Sequence, residues 1–203
     1  MLPVASTVTP RRREILERAY AYVLANGLSG MSLRPLATAV GSSPRVLLFL
    51  FESKDGLIRA LLARARADEL DLLASLDARQ APDLHMTATA IWRWLSAPAH
   101  RGLLTLWTES YARSLLDPTG PWADFAAGTV QDWLALLARA QPPARRRTGA
   151  GERERTLVLA LLRGALLDLL ATGEEQRVEA AVREGLPAIT TRRWPGTSIR
   201  PAV

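Results

Sequence analysis

Residues 32–57 read SLRPLATAVGSSPRVLLFLFESKDGL. Their punctuation describes two short helices and the start of a longer third. Ser32 suits the N-cap of a helix over Leu33–Val40, where its hydroxyl accepts from an N–H lacking a partner inside the helix. Ser43 suits the next cap, and Pro44 after it has the φ of a first helical residue and no N–H to waste. Gly41 between them fits a helix end that needs a left-handed residue. Two helices joined by a short glycine turn make the helix-turn-helix unit, whose second helix enters the DNA major groove.

Around this stretch, helical spacing prevails and strand-like alternation is nearly absent. Thr9-Pro10 opens a first helix that stops at Asn26-Gly27, with Ile15, Ala19, Tyr22 and Val23 as its apolar stripe. A fourth helix runs from Ser53 to about Ala78. Proline sites at 81–83, 97–98, 117–121 and 141–143 then separate helices near 83–96, 99–116 and 122–140. Two more are expected near 152–171 and 174–186, with Gln141–Gly151 as a loop and a flexible tail over 191–203. The fold class is all-α, with a helix-turn-helix domain over 1–57 and a larger helical domain over 58–190.

With 203 residues, 48% of them apolar, the chain can bury a substantial core. A formal charge of +6 favours anionic partners. Lys54 is the only lysine among 26 basic residues. No cysteine is present, which excludes a disulfide framework and a thiolate metal site and suits a reducing cytosol. Leu157–Leu170 is the longest apolar run, but Arg163 and Asp168 interrupt it and it is too short to span a bilayer. The N-terminus lacks the charge order of a secretory signal, so a cytoplasmic protein without membrane contact is expected. Two histidines, no HExxH, no phosphate-cradling glycine loop and no GxSxG leave catalysis without support. No cofactor or metal is expected.

Arg11, Arg12 and Arg13 occupy the first turn of helix one, where positive charge opposes the helix dipole by about 0.3–1 kcal/mol each. Nearby phosphates would account for them. From here to Leu62 the chain reads RRREILERAYAYVLANGLSGMSLRPLATAVGSSPRVLLFLFESKDGLIRALL, and this segment resembles the tetracycline-repressor (TetR) family. The resemblance rests on the arginine-rich start, Asn26-Gly27, the Ser32-Leu33-Arg34 entry, the glycine-serine turn, and Phe51 followed by Ser53-Lys54 and Leu57.

The resemblance makes Pro44–Leu50 the recognition helix, with Leu47 and Phe51 facing its core. Arg45 is then the base reader, since arginine pairs bidentately with guanine O6 and N7. Ser32, Ser42 and Ser43 stand at helix starts suited to phosphate oxygen, Lys54 is a phosphate anchor, and Arg34 reaches phosphate or a base edge. Family members commonly carry tyrosine, tyrosine and histidine where this chain has Leu48, Phe49 and Leu50. Leu48 either contacts a thymine methyl or, with its neighbours, packs the small domain more tightly.

In the same family a small-molecule pocket lies farther along the chain. The span 83–140 holds His85, Met86, Trp92, Trp94, Trp107, Glu109, Tyr111, Trp122, Phe125 and Trp133. A set of aromatics with a few polar anchors suits a small apolar or aromatic ligand, and Trp107 with Tyr111 is the best-spaced pair. The bland reading of each tryptophan is plain core. The all-round apolar run at 157–170 implies a second burial partner. By resemblance, the last two helices form a four-helix homodimer interface through Leu159, Leu162, Gly164, Leu166, Leu170, Val178 and Val182. Such a dimer places two recognition helices about 34–36 Å apart on a near-palindromic operator. The implied function is a DNA-binding regulator, a repressor released by its ligand through helix four. The alternatives are a helical DNA-binding protein without a ligand, or an all-α carrier or enzyme that has lost specific DNA binding.

Overall fold

The computed structural model describes residues 9–28, 31–78 and 83–190. Among them are ten α-helices and a single 3₁₀ turn, Pro98–His100. The helices are α1 Pro10–Asn26, α2 Leu33–Ala39, α3 Pro44–Phe51, α4 Lys54–Ala78, α5 Leu84–Leu95, α6 Arg101–Leu116, α7 Phe125–Arg139, α8 Pro143–Arg146, α9 Gly149–Thr172 and α10 Glu175–Thr190. No strand occurs among the described residues, so the fold is all-α. The expected break at 81–83 lies largely outside the described residues, while those at 97–98, 117–121 and 141–143 hold, with two differences. The presumed loop at 141–151 contains the one-turn α8, and α10 continues through Pro187. The tail expected to be flexible lies outside the described residues.

The described residues fall into two compact units, one within Met1–Leu70 and Arg101–Gly128, the other within Asp71–His100 and Thr129–Val203. This differs from a boundary at residue 57. The first unit takes in α6 because α6 packs directly on α1. At Gly102 a β-carbon would stand 2.6 Å from the Leu24 carbonyl oxygen, so only glycine lets the helices approach this closely.

The core of the first unit gathers Ile15, Ala19 and Val23 of α1, Leu36 of α2, Leu47 and Phe51 of α3, and Leu57, Leu61 and Ala65 of α4. Polar contacts fix the same helices. Glu109 of α6 accepts a hydrogen bond from the Leu28 N–H at 2.8 Å, just beyond the end of α1. The Tyr20 hydroxyl donates to Asp68 of α4 at 2.7 Å. Burial, and then that carboxylate, push the Tyr20 pKa above the usual tyrosine range.

In the second unit, α5, α9 and α10 pack together, with Ile91, Leu162, Leu166, Val178, Val182 and Leu186 buried. At Gly185 of α10, a β-carbon would lie 2.9 Å from a methyl carbon of Leu161 of α9. Thr148 caps α9 by accepting from the Gly151 N–H at 3.0 Å. The Arg145–Arg147 run is less solvated than its position suggests. Arg145 pairs with the buried Glu154 at 3.2 Å, and Arg146 donates to the Arg139 carbonyl at 2.9 Å.

A candidate DNA interface on the third helix

The turn that aims α3 is built by backbone hydrogen bonds. Gly41, at φ +66°, lets its N–H reach the Thr38 carbonyl at 3.1 Å while the Ser42 N–H reaches that of Ala37 at 2.8 Å. This pairing closes the end of α2 as a Schellman motif and turns the chain into α3. Ser43 then caps α3, its hydroxyl oxygen accepting from the Val46 N–H at 3.3 Å. Its hydroxyl hydrogen remains available to a phosphate.

Ser32 behaves differently from expectation. It sits at the N-cap of α2 in extended backbone but makes no side-chain cap bond. The N3 position, whose N–H such a cap commonly engages, is Pro35, which has none. Its exposed hydroxyl is left uncommitted.

The exit of α3 is just as tightly defined. Glu52 adopts φ +68° and ψ −37°, and the Ser53 N–H turns back on the Phe51 carbonyl at 2.8 Å, a γ-turn. Ser53 then accepts from the Gly56 N–H at 2.9 Å, which caps α4. Leu47 and Phe51 are buried, so the inward face of α3 is as expected. Arg45 is exposed on the outward face, and Lys54 and Arg34 are also exposed. Phe49 is 83% exposed and Leu48 39%, so neither serves to pack the domain more tightly.

The arginine cluster is divided in its tasks. Arg12 donates from Nε to the Leu50 carbonyl at 3.0 Å, and its guanidinium lies 4.9 Å from the centre of the Phe51 ring. It is a brace on the end of α3 rather than an uncommitted phosphate ligand, because those terminal carbonyls lack helical donors. Arg11 pairs with Glu14 at 2.9 Å on the surface. Arg13 is exposed.

The residues expected around a ligand divide between the two units. Trp107, Glu109, Tyr111 and Phe125 belong to the first, and His85, Met86, Trp92 and Trp133 to the second. Trp92 donates its indole N–H to Glu179, and Glu109 is engaged with Leu28, so both are tied into the fold. Met86 is half exposed. Clefts open within the first unit. One, of about 340 Å³, is lined by Arg59, Leu62, Arg66, Pro121 and Phe125 among others. The second, of about 560 Å³, has Leu28, Met31, Ile58 and Trp122 with Lys54 and Arg113 along its lining. Of the expected set, Phe125 lines the first cleft and Trp122 the second.

The residues expected at a dimer interface also need correction. Leu159, Leu162, Leu166, Val178 and Val182 are buried within the protomer, where α9 and α10 meet each other and α5, and Leu170 is half-buried. Their spacing marks an apolar face, and that face is satisfied inside the chain. Gly164 is exposed with open space beside it. The outward stripe of α9 is Leu157, Ala160, Gly164, Leu167 and Ala171, a run the hydropathy of the sequence did not separate from the inward one.

Among the described residues no group of histidine and acidic side chains could hold a metal ion. No described helix is long and apolar enough to cross a membrane. Neither a protein-family model nor a curated protein sequence matches the chain.

Solved structures do match over nearly the whole length. A TetR-family transcriptional regulator from Rhodococcus sp. superposes with a TM-score of 0.67 at 21% identity, over 90% of this chain and 98% of its own. Another from Mesorhizobium loti gives 0.66 at 18% identity, over 92% and 98%. The fold and the helix-turn-helix geometry therefore define the class: this is the architecture of the TetR-family transcriptional regulators. A particular likeness is to the multidrug binding protein EbrR, solved with imidazole, at 25% identity and a TM-score of 0.65 over 94% of this chain and 97% of that one. EbrR has also been solved with proflavin and with malachite green.

Proposed function

We propose that this protein is a sequence-specific DNA-binding transcriptional regulator that acts as a homodimeric repressor and leaves its operator when a small aromatic or apolar ligand binds. The observation that carries the reading is the outward face of α3. A capped, braced helix presents Arg45 to solvent, with Lys54 exposed three residues beyond its end. Arg45 reads a base edge, while Lys54, Arg13, Arg34 and the hydroxyls of Ser32 and Ser43 meet phosphates.

The homodimer is supported by the outward stripe of α9, whose members recur at alternating steps of three and four. Such spacing suits helix pairing, and the exposed Leu157 and Leu167 would be covered by a second copy. Ligand release is supported by the likeness to EbrR, which has been solved with aromatic dyes. The clefts against α4 are where an occupant would bear on Lys54 and alter the aim of α3. A regulator without a ligand is the second reading, favoured by the packing of Trp92, Trp107, Trp122 and Trp133, each under 9% exposed.

The test is binding of the full chain to the DNA upstream of its own gene across a salt series, with random duplex as comparison. Arg45→Ala should erode the preference for the specific duplex. Lys54→Ala should weaken both duplexes alike and reduce the salt slope by about 0.9 for one lost phosphate contact. Equal binding of both duplexes at every salt concentration would remove the reading. Proflavin added to the complex tests release, and no release over a panel of aromatic cations and apolar acids would favour the ligand-free reading.

A further inference from the structure

The outward face of α3 carries Arg45, Val46, Leu48 and Phe49, and only the arginine can form a hydrogen bond. Phe49 is 83% exposed, Leu48 39% and Val46 38%, while Leu47 and Phe51 fill the inward face. Three apolar groups thus stand where a DNA-reading helix meets base edges. Arg12 braces the end of this helix through the Leu50 carbonyl, so the apolar face is held by a fixed backbone.

We infer that this face reads thymine. The Phe49 ring, with Val46 and Leu48 beside it, packs against thymine C5-methyl groups in the major groove, and Arg45 supplies the hydrogen-bonded contact to guanine. The inference rests on the DNA-binding reading above and sharpens it into a base preference.

The major groove offers acceptors at G O6, G N7, A N7 and T O4, donors at C N4 and A N6, and a single prominent apolar group, the thymine methyl. An apolar side chain pressed on any of the polar atoms would strip its water and return no bond. Against the methyl it removes apolar surface from water on both sides. The charge around the face selects the occupant as well. Arg13, Arg34, Arg45 and Lys54 are all exposed in this unit, and the whole chain carries +6. A second copy seated on the face would bring the same cations against themselves, whereas a phosphate backbone is complementary to them.

The experiment begins with selection of binding duplexes from a random library by the full-length chain. The enriched duplex is then remade with deoxyuridine in place of each thymidine in turn, which deletes one methyl and leaves every hydrogen-bonding atom. At the contacted positions the wild-type chain should bind about three- to fivefold more weakly per methyl removed. Phe49→Ala should bind the thymidine duplex more weakly and lose most of this sensitivity, while Phe49→Leu keeps part of it. Helix content by circular dichroism verifies that both variants are folded, as expected for a surface position.

If no duplex is enriched, the DNA-binding reading itself fails. If a duplex is enriched but uracil is tolerated everywhere, or penalises Phe49→Ala as much as wild type, the thymine inference is overturned and the DNA-binding reading stands. A change in self-association caused by Phe49→Ala with DNA affinity unaltered would assign the face to a protein contact instead.

Discussion

Gly56→Ala gives a test in which two physical effects predict opposite signs. In an unhindered helix, alanine is favoured over glycine by about 1 kcal/mol, so the substitution should stabilise. At this position the new β-carbon would stand 2.0 Å from the Phe51 carbonyl oxygen, 3.2 Å from its carbon and 3.3 Å from the Ser53 hydroxyl. A tolerable contact requires a shift on the order of 1 Å. The oxygen cannot retreat freely, because the Ser53 N–H holds it at 2.8 Å in the γ-turn. Moving Gly56 instead breaks its 2.9 Å bond to Ser53, the cap of α4. Overpacking costs about 1–3 kcal/mol and loss of the cap about 1 kcal/mol. Against the gain in helix propensity, the net is a destabilisation of about 1–3 kcal/mol. For a chain of this length each kcal/mol lowers Tm by about 2–4 °C. Thermal melting followed by circular dichroism reads the sign directly. Because the same turn orients α3, DNA affinity should fall even at temperatures where the variant is folded. An unchanged or raised Tm with full DNA binding would refute the close approach of α4 to the end of α3.

Three further outcomes follow from contacts elsewhere. Glu109→Ala leaves the buried Leu28 N–H without its acceptor and should cost about 1–3 kcal/mol; Glu109→Gln, which keeps a carbonyl acceptor, should recover much of that in the same melt. Tyr20 has its pKa raised in the fold, so above about pH 10 the unfolded chain loses a proton that the folded chain keeps. Stability from this group is complete below that pH and declines as pH rises, and Tyr20→Phe should flatten the decline in denaturant titrations between pH 9 and 11. On the outward stripe of α9, Leu167→Glu should convert a dimer to a monomer in sedimentation while leaving the melt of the protomer core nearly unchanged; a monomeric wild type would refute the proposed role of that stripe.

Much of the first sixty residues was legible because its signals are local. Thr9 before Pro10, Ser43 before Pro44 and Gly41 at the end of α2 each act on backbone groups three or four residues away, and each forms the bond its chemistry suggests. Ser32 is the exception within that logic, and its reason was also in the sequence, as Pro35 removes the N–H of a capping partner. The division of the arginines was not legible. Arg12 finds its carbonyl 38 positions away on α3, a partner no local pattern names.

The sequence by itself determined most of the helices and the helix-turn-helix, though not α8 or the end of α10, since those features depend on propensity, caps and period over a few residues. It also marked which helices were too apolar to stand alone. Only the tertiary structure decided where each apolar stripe was spent. On α9 the residues Leu159, Leu162 and Leu166 turn into the protomer and Leu157, Ala160, Gly164 and Leu167 turn out, although both sets are apolar and similarly spaced. On α3 the same kind of run divides between a buried Leu47 and Phe51 and an exposed Phe49. Hydropathy has no direction along a chain; burial acquires one only when a second helix arrives to cover one face and leave the other to water.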